Sequence, residues 1–214
     1  MSQHIIAISW SHQQTPLDFR DKLALSREEV QQFIHLLLDS NYIFESVALS
    51  TCNRIEFYAL VESSEDVLNV IMNIYDNYLK RNILWHQSSP GIYTGIDAVQ
   101  HLFRVAAGME SMVLGEIQIL SQVKAAHQIL IRSQLDGNVL GKLFKDAIHS
   151  AETIRNDSPL YFGPTSISEL AVITAKKIYD DLEKRKVLII GAGETAKLSA
   201  SFFKSAGIQQ IIIG

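Results

Sequence analysis

The sequence places Gly191-Ala192-Gly193-Glu194-Thr195-Ala196 directly after the apolar run Val187, Leu188, Ile189 and Ile190, and directly before a helical pattern. A buried strand, a glycine loop and a helix in that order match the G-x-G-x-x-G/A fingerprint in the context that gives it meaning. The first glycine permits the tight turn, the second lets a pyrophosphate approach the main chain, and Ala196 is small enough for close helix packing. Phosphate oxygens would then meet the free N–H groups of a helix N-terminus. A second strand expected over residues 210–213 completes one βαβ unit. The residue that reads a ribose or a 2′-phosphate should lie about 20 residues further on, past that strand. NAD and NADP are therefore not distinguished by spacing, and one βαβ unit cannot enclose a dinucleotide. The apolar ending Ile211, Ile212, Ile213 reads as an interior strand without its neighbours. Most of the 214 residues must build a different core.

That core begins with a strand expected over residues 4–10, followed by a polar turn in which Thr15 precedes Pro16. Ser26 is placed to cap a helix carrying Glu28 and Glu29 in its first turn, with Val30, Phe33, Ile34, Leu37 and Leu38 at helical spacing and an end near Asn41. Strands are expected over 47–51 and 55–61, and in the second Ile55, Phe57, Ala59 and Val61 share one face. A helix over about 64–80 and a short strand over 92–94 complete the order β, α, β, β, α, β, which is that of the split βαβ or ferredoxin-like sandwich. From Asp97 to about Asn156 the pattern is helical almost throughout, with helices expected over about 97–107, 116–132 and 138–155. Residues 159–164, bounded by two prolines, are the natural boundary, and Ser166 and Ser168 open a further helix to about Leu182. The expected domains are residues 1–158, comprising a sandwich over about 1–95 and a helical part over 96–158, and residues 159–214, the start of a nucleotide-binding fold.

Composition narrows the function classes. With 19 Lys plus Arg against 23 Asp plus Glu, the chain has a formal charge of −4, which argues against sequence-independent nucleic-acid binding. Any such contact must be local. No apolar stretch approaches the roughly 20 residues that span a bilayer, residues 1–10 lack a basic leader, and one cysteine cannot form an intramolecular bridge, so a cytoplasmic protein is expected. The mean hydropathy of +0.10 is high for a finished soluble domain. Among the seven histidines there is no HxxxH spacing, and the chain has no CxxC, so no metal site is expected.

The single cysteine sits in Leu49-Ser50-Thr51-Cys52-Asn53-Arg54-Ile55-Glu56, at the junction of two expected strands. A lone cysteine is ordinarily a small buried hydrophobe. Here it stands at a turn beside the cation Arg54, among backbone amides and hydroxyls that favour thiolate. A nucleophilic thiol in one chain with a nicotinamide site suggests one reaction. Hydride does not readily reduce a carboxylate, whereas a thioester carbonyl is electrophilic and its thiolate leaves well, so the pair implies reduction of a carboxyl group to an aldehyde.

These residues resemble the glutamyl-tRNA reductase family. The resemblance runs along the chain through His12, Pro16 and Arg20, Ser50-Thr51-Cys52-Asn53-Arg54 with Glu56, residues 101–108, Ser111-Met112-Val113-Leu114-Gly115-Glu116, Gln118-Ile119-Leu120, Gln122-Val123-Lys124, Ala147-Ile148-His149, and the glycine loop. It implies NADPH-dependent reduction of glutamyl-tRNA(Glu) to glutamate-1-semialdehyde, the first step of tetrapyrrole and haem synthesis by the five-carbon route. Cys52 would be the nucleophile, and His101 a histidine important for activity. Thr51, Asn53, Arg54, Ser111, Glu116, Ile117, Gln118 and Gln122 would contact substrate, with Arg54 the natural bidentate partner of its side-chain carboxylate. Gly191 to Ala196 would hold NADPH. The resemblance further implies a homodimer formed through a domain not present in these residues, and glutamate-1-semialdehyde aminomutase as a partner, with no membrane association and no metal requirement.

Two positions and one segment depart from the family pattern. Ile117 stands where a proline usually pre-sets helix entry, Trp10 stands at a usual glycine, and residues 160–169 replace a small-residue linker. For His101 the sequence makes an independent statement, since a stripe of Val99, Leu102, Phe103 and Ala106 puts it on the opposite side with Arg104, facing solvent or a cleft and outside the core. A fragment lacking the rest of the nucleotide fold should be unable to complete hydride transfer. The competing expectations are a non-catalytic tRNA- or protein-binding module with a structural Cys52, and a generic dehydrogenase fragment that leaves the Cys52 run unexplained.

Overall fold

The computed structural model describes residues 3–63, 66–132, 139–158, 164 and 166–214. Four strands, β1 (His4–Ser11), β2 (Ile43–Ser50), β3 (Arg54–Val61) and β4 (Gly91–Thr94), form a sheet of order β2-β3-β1-β4. Every neighbouring pair is antiparallel, so β1 and β2 run parallel with β3 between them, which is the ferredoxin-like split βαβ arrangement. β3 is central, and all eight of its residues are buried. Period-two alternation sends Ile55, Phe57, Ala59 and Val61 to one face, as their spacing predicts, and sends Arg54, Glu56, Tyr58 and Leu60 to the other.

Helices α1 (Leu17–Leu23), α2 (Arg27–Leu38) and α3 (Val67–Asn73) cover the first face. Phe33 stacks on Phe57 at 4.7 Å between ring centroids, and Tyr75 and Trp85 extend the aromatic cluster. Trp10 is fully buried in this cluster, between Phe57 and Trp85, so a bulky side chain at that position is accommodated by aromatic packing. Ser26 and Glu29 form a reciprocal capping box at the start of α2, and the helix ends at Leu38, three residues before the expected Asn41. The helix expected from Ser64 has its first two residues outside the described residues. α3 passes into a π-helical turn at Ile74–Tyr78. The expected polar turn follows β1, with the Gln14 and Thr15 amides donating to the Ser11 carbonyl, and α1, which the sequence reading does not include, follows it because Pro16, with φ −56°, is pre-set for helix entry and seats Phe19 and Leu23 in the core.

The second face is covered by α4 (Ile96–Ala106), α5 (Ile117–Arg132) and α6 (Leu140–Asp157), with Tyr58, Leu102, Val123 and Phe144 in one buried cluster. The expected start of α6 at Asn138 lies outside the described residues. Its N-terminus is capped from the sheet, since buried Glu45 accepts the Val139 amide at 3.2 Å and the Leu140 amide at 2.6 Å. A carboxylate there satisfies free N–H groups and complements the helix dipole. Of the expected boundary, residues 159–163 lie outside the described residues.

Beyond it, α7 (Ile167–Ile178) is capped by Ser166 and ends short of the expected Leu182, which instead opens a 3-10 turn. Strand β5 (Lys186–Ile189), helix α8 (Glu194–Ser205) and strand β6 (Gln210–Ile213) then form a parallel βαβ unit, the beginning of a Rossmann-type fold. Its core is Val172, Leu182 and Ile208 with a few half-buried neighbours.

Candidate active site

Residues 51–53 join β2 to β3, and the Thr51 hydroxyl organises the turn. Its Oγ1 accepts the Asn53 amide at 3.2 Å and the Arg54 amide at 3.0 Å, while the Thr51 amide donates to the Arg54 carbonyl at 2.9 Å. A hydroxyl bonded to main chain two and three residues on holds a tight turn that backbone bonds alone would leave loose. The Asn53 carbonyl accepts the His12 amide at 2.8 Å, tying the turn to the end of β1. Cys52 is left exposed at the tip as a free thiol. It is not a core hydrophobe.

Arg54 begins β3 and is buried, 1% exposed. Its Nη1 donates to Glu56 Oε1 at 2.9 Å, and its Nη2 donates to the main-chain carbonyl of Glu110. Glu56, fully buried on the same face of β3, collects four groups: Arg54, Ser9 Oγ at 2.8 Å, Tyr58 OH at 2.6 Å and His101 Nε2 at 3.0 Å. Burial opposes its ionisation, but the His101 hydrogen bond and the Arg54 charge outweigh it and hold the carboxyl at about 2. A buried carboxylate is retained where partners fill its lone pairs in this way.

His101 corrects the sequence expectation. It is 7% exposed and faces the sheet, with its ring stacked on Tyr93 at 4.1 Å and 10° between planes. The buried stripe of α4 is Ala98, His101, Leu102, Val105 and Ala106. Leu102 and Ala106 are shared with the expected stripe, but Val99 and Phe103 are only half-buried at its margin, and Ala98, His101 and Val105 take the buried side. One carboxylate thus couples Arg54 and His101, which are 47 residues apart in sequence.

The loop after α4 closes over this cluster. Gly108 has φ +73° and Gly115 φ +78°, and a Cβ on Gly108 would lie 3.1 Å from the Glu116 amide nitrogen, so only glycine fits where the loop folds back on itself. Arg155 of α6 donates to the carbonyls of Gly115 and Glu116, fixing the entry to α5. Ile117 therefore starts α5 without a proline, and its side chain is exposed. Glu116 is buried. Desolvation raises its pKa, opposed by a hydrogen bond from Ser111 and by the charges of Arg54 and Arg155. Gln118 is exposed and Gln122 half-buried one turn along α5. Glu110 pairs with Arg104 and accepts from Gln13 at 3.3 Å. Burial, then the charges of Arg54 and Arg20, lower the pKa of His12 beside the Cys52 turn.

The sequence expectation gave Glu56 no role in the site, nor Ser9, Tyr58 or Tyr93. A signal for the first existed, since Arg54, Glu56 and Tyr58 occur at i, i+2 and i+4 on the face opposite the apolar alternation. Among the described residues, no group of three or more His, Cys, Asp or Glu side chains is placed to hold a metal ion, and no helix is long and apolar enough to cross a membrane.

In the second unit the turn from β5 to α8 has Gly191 at φ +107°, and a Cβ at Gly191 or Gly193 would meet nothing within 4 Å. The main chain is open on the side a phosphate would approach. Gly191 donates to the Gly214 carbonyl at 2.7 Å, so the loop leaves the strand in register with β6. Ala192 to Thr195 are exposed. An open glycine loop at the N-terminus of a 12-residue helix fits the diphosphate of a dinucleotide.

The family described as glutamyl-tRNAGlu reductase, N-terminal domain, matches residues 8–158, and that of shikimate/quinate 5-dehydrogenase matches residues 173–214. The chain belongs to the glutamyl-tRNA reductase family. Glutamyl-tRNA reductase of Macrococcus caseolyticus is 34% identical over 98% of this chain and 47% of its own length. That of Picosynechococcus is 36% identical over 98% of the chain and 49% of its own length. The solved glutamyl-tRNA reductase of Methanopyrus kandleri superposes with a TM-score of 0.67 at 27% identity, covering 98% of this chain and 48% of that one. The chain spans about half the length of the curated relatives it matches.

Proposed function

We propose that the protein carries out the acyl-transfer half of an NADPH-dependent reduction of glutamyl-tRNA(Glu) to glutamate-1-semialdehyde, the entry to tetrapyrrole and haem synthesis. The observation that carries it is an exposed Cys52 on a hydroxyl-braced turn, two residues before the buried Arg54 that begins β3. A structural cysteine would be buried; this one is presented.

In this mechanism Cys52 Sγ attacks the carbonyl carbon of the ester joining glutamate to the tRNA. The C–S bond forms, the ester C–O bond breaks, and the tRNA leaves with its ribose hydroxyl protonated. Arg54, buried with Nη1 on Glu56 and Nη2 on the Glu110 carbonyl, acts on the substrate's side-chain carboxylate through its charge beneath the turn, where the sequence expectation has a direct bidentate contact, and Thr51 and Asn53 stand beside it. Glu116, whose charge burial disfavours, suits the substrate's α-ammonium, which would add to the charges of Arg54 and Arg155 in favouring the carboxylate. Ser111 holds Glu116, and Ile117, Gln118 and Gln122 line the approach from α5. His101 has Nε2 committed to Glu56, so proton exchange with the reacting carbonyl runs through Nδ1. Bound at Gly191, Ala192, Gly193, Glu194, Thr195 and Ala196, NADPH would supply the hydride that takes the thioester to the aldehyde. A free, exposed thiol suits the reducing cytoplasm. A homodimer built through further sequence, and an aminomutase that takes up the reactive aldehyde, belong to the same proposal.

Incubation with glutamyl-tRNA charged with labelled glutamate is the test. Cys52-dependent deacylation and an acid-stable glutamyl-protein adduct are expected; equal deacylation by the parent and Cys52→Ser would overturn the assignment.

A further inference from the structure

β2 is an outer strand of the sheet, and a cleft of about 350 Å³ runs along its open edge between α2 and α5. Leu25 and Val30 wall one side, and Ala125, Ala126 and Ile129 the other; Ala48, Leu49 and Ser50 form the floor. Its size is at the small end of ligand pockets, which run from roughly 300 to 1,000 Å³. One end opens at Ser50, two residues before Cys52, and at Gln122, on the first turns of the helix that begins beside Glu116.

The polar groups in this cleft have a particular chemistry. Because the Thr51 amide bonds to the Arg54 carbonyl across the turn, antiparallel alternation points the main-chain groups of Leu49 at β3 and those of Ala48 and Ser50 away from it, into the cleft. An outward N–H and C=O on an edge strand, between apolar walls, present a donor and an acceptor to the edge of a planar heterocycle. Gln122 and Gln128 add side-chain amides that can pair with a base in the same way. Arg27, the first residue of α2, stands at the rim with a guanidinium suited to a phosphodiester. Apolar walls, paired amide functions and one rim cation match a nucleoside joined to a phosphate.

We propose that this cleft receives the 3′-terminal adenosine of the charged tRNA, with Arg27 on the phosphate that precedes it. The proposal rests on the acyl-transfer reading above: the ester to be cleaved is attached to that nucleoside's ribose, so the base must lie within one ribose of Cys52, and this cleft ends there. Unpaired bases are read in this way, by their hydrogen-bonding edges between apolar surfaces.

Ala125→Phe, at an exposed position of α5, fills the cleft without touching the Glu56 cluster. Two measurements on the full chain test the assignment. In the first, the half-saturating concentration for Cys52-dependent deacylation of glutamyl-tRNA should rise tenfold or more in Ala125→Phe. The rate of Cys52 acylation by a glutamate thioester that carries no nucleoside should change far less. Equal losses with both substrates, or none with either, would overturn the cleft assignment. In the second, binding of the trinucleotides CpCpA and CpCpU is compared in the parent, Cys52→Ser, Ala125→Phe and Arg27→Ala. Preference for CpCpA, retained in Cys52→Ser and lost in Ala125→Phe, supports the site even if no deacylation is seen, and so separates its failure from failure of the acyl-transfer reading. Equal affinity for the two trinucleotides, no measurable binding, or capture of an extended peptide along β2 in their place would overturn it.

Discussion

β3 and β6 are both rich in strand-forming apolar residues, yet every residue of β3 is buried while β6 has none buried. The difference lies in what stands on either side. β3 has a strand on each edge and a helical layer on each face, so both of its faces are buried. Among the described residues β6 pairs only with β5, and Leu188, Ile190, Ile212 and Ile213 are 49 to 87% exposed. Parallel strands are normally covered on both faces, and a two-stranded sheet is marginal by itself. Apolar sequence therefore marks the burial a strand is built for, which only its neighbours can deliver. The same contrast separates the two candidate sites: the Cys52 turn is braced from several directions, whereas the glycine loop is open.

The largest expected expression of this contrast is in hydrogen exchange. Amides of β3 should exchange through global unfolding and those of β6 through local opening, a difference of roughly a thousandfold or more in protection. Similar protection in the two strands would break the comparison. Next, Phe57→Ala should cost about 3 to 5 kcal/mol in denaturant unfolding, as large core truncations do. Phe203→Ala, in the half-buried packing of the second unit, should cost under about 1.5 kcal/mol.

Acid titration isolates Glu56. Its folded pKa of about 2 lies below the ordinary value of 4.5, so its contribution to stability is complete above pH 4.5 and disappears as pH falls toward 2. Glu56→Gln should flatten the loss of stability across that window, measured by thermal melts at successive pH values. Glu194 in the second unit, its pKa lowered by the Lys197 hydrogen bond, is solvent-exposed, and Glu194→Gln should leave the acid limb of the first unit unchanged. The smallest effect runs in the opposite direction. Because burial raises the pKa of Glu116, its ionisation costs stability above that pKa, and the cost is relieved as pH falls toward 4.5. Glu116→Gln should raise the melting temperature at pH 7, with the advantage shrinking toward pH 4, while glutamyl transfer falls.

Much of the fold could be read from the sequence because its signals are local. The alternation of Ile55, Phe57, Ala59 and Val61, the Ser26 cap, and the strand, glycine loop and helix around Gly191 each state their own geometry. What could not be read depends on partners distant in sequence. Arginine is ordinarily a surface residue, so the burial of Arg54 required knowing that Glu56 faces the same way and that the Glu110 carbonyl arrives from a loop beyond α4. His101 was assigned to the wrong side because small residues, Ala98 and Ala106, carry the close helix-to-sheet contact while larger Val99 and Phe103 sit at its margin. α1 was missed since Pro16 marks a turn and a helix start equally well. The cleft along β2 belongs to three elements at once, and no single stretch of sequence encodes it.

The bond from Arg54 to residue 110 ends on a main-chain oxygen. Any amino acid at position 110 supplies the same oxygen, so the side chain there can drift without releasing the guanidinium. The coupling that closes the loop over the site is thus insulated from substitution at one of its ends. A saturation library at position 110 should tolerate residues of every class, provided the Arg104 pair is expendable, while a library at position 54 collapses to arginine.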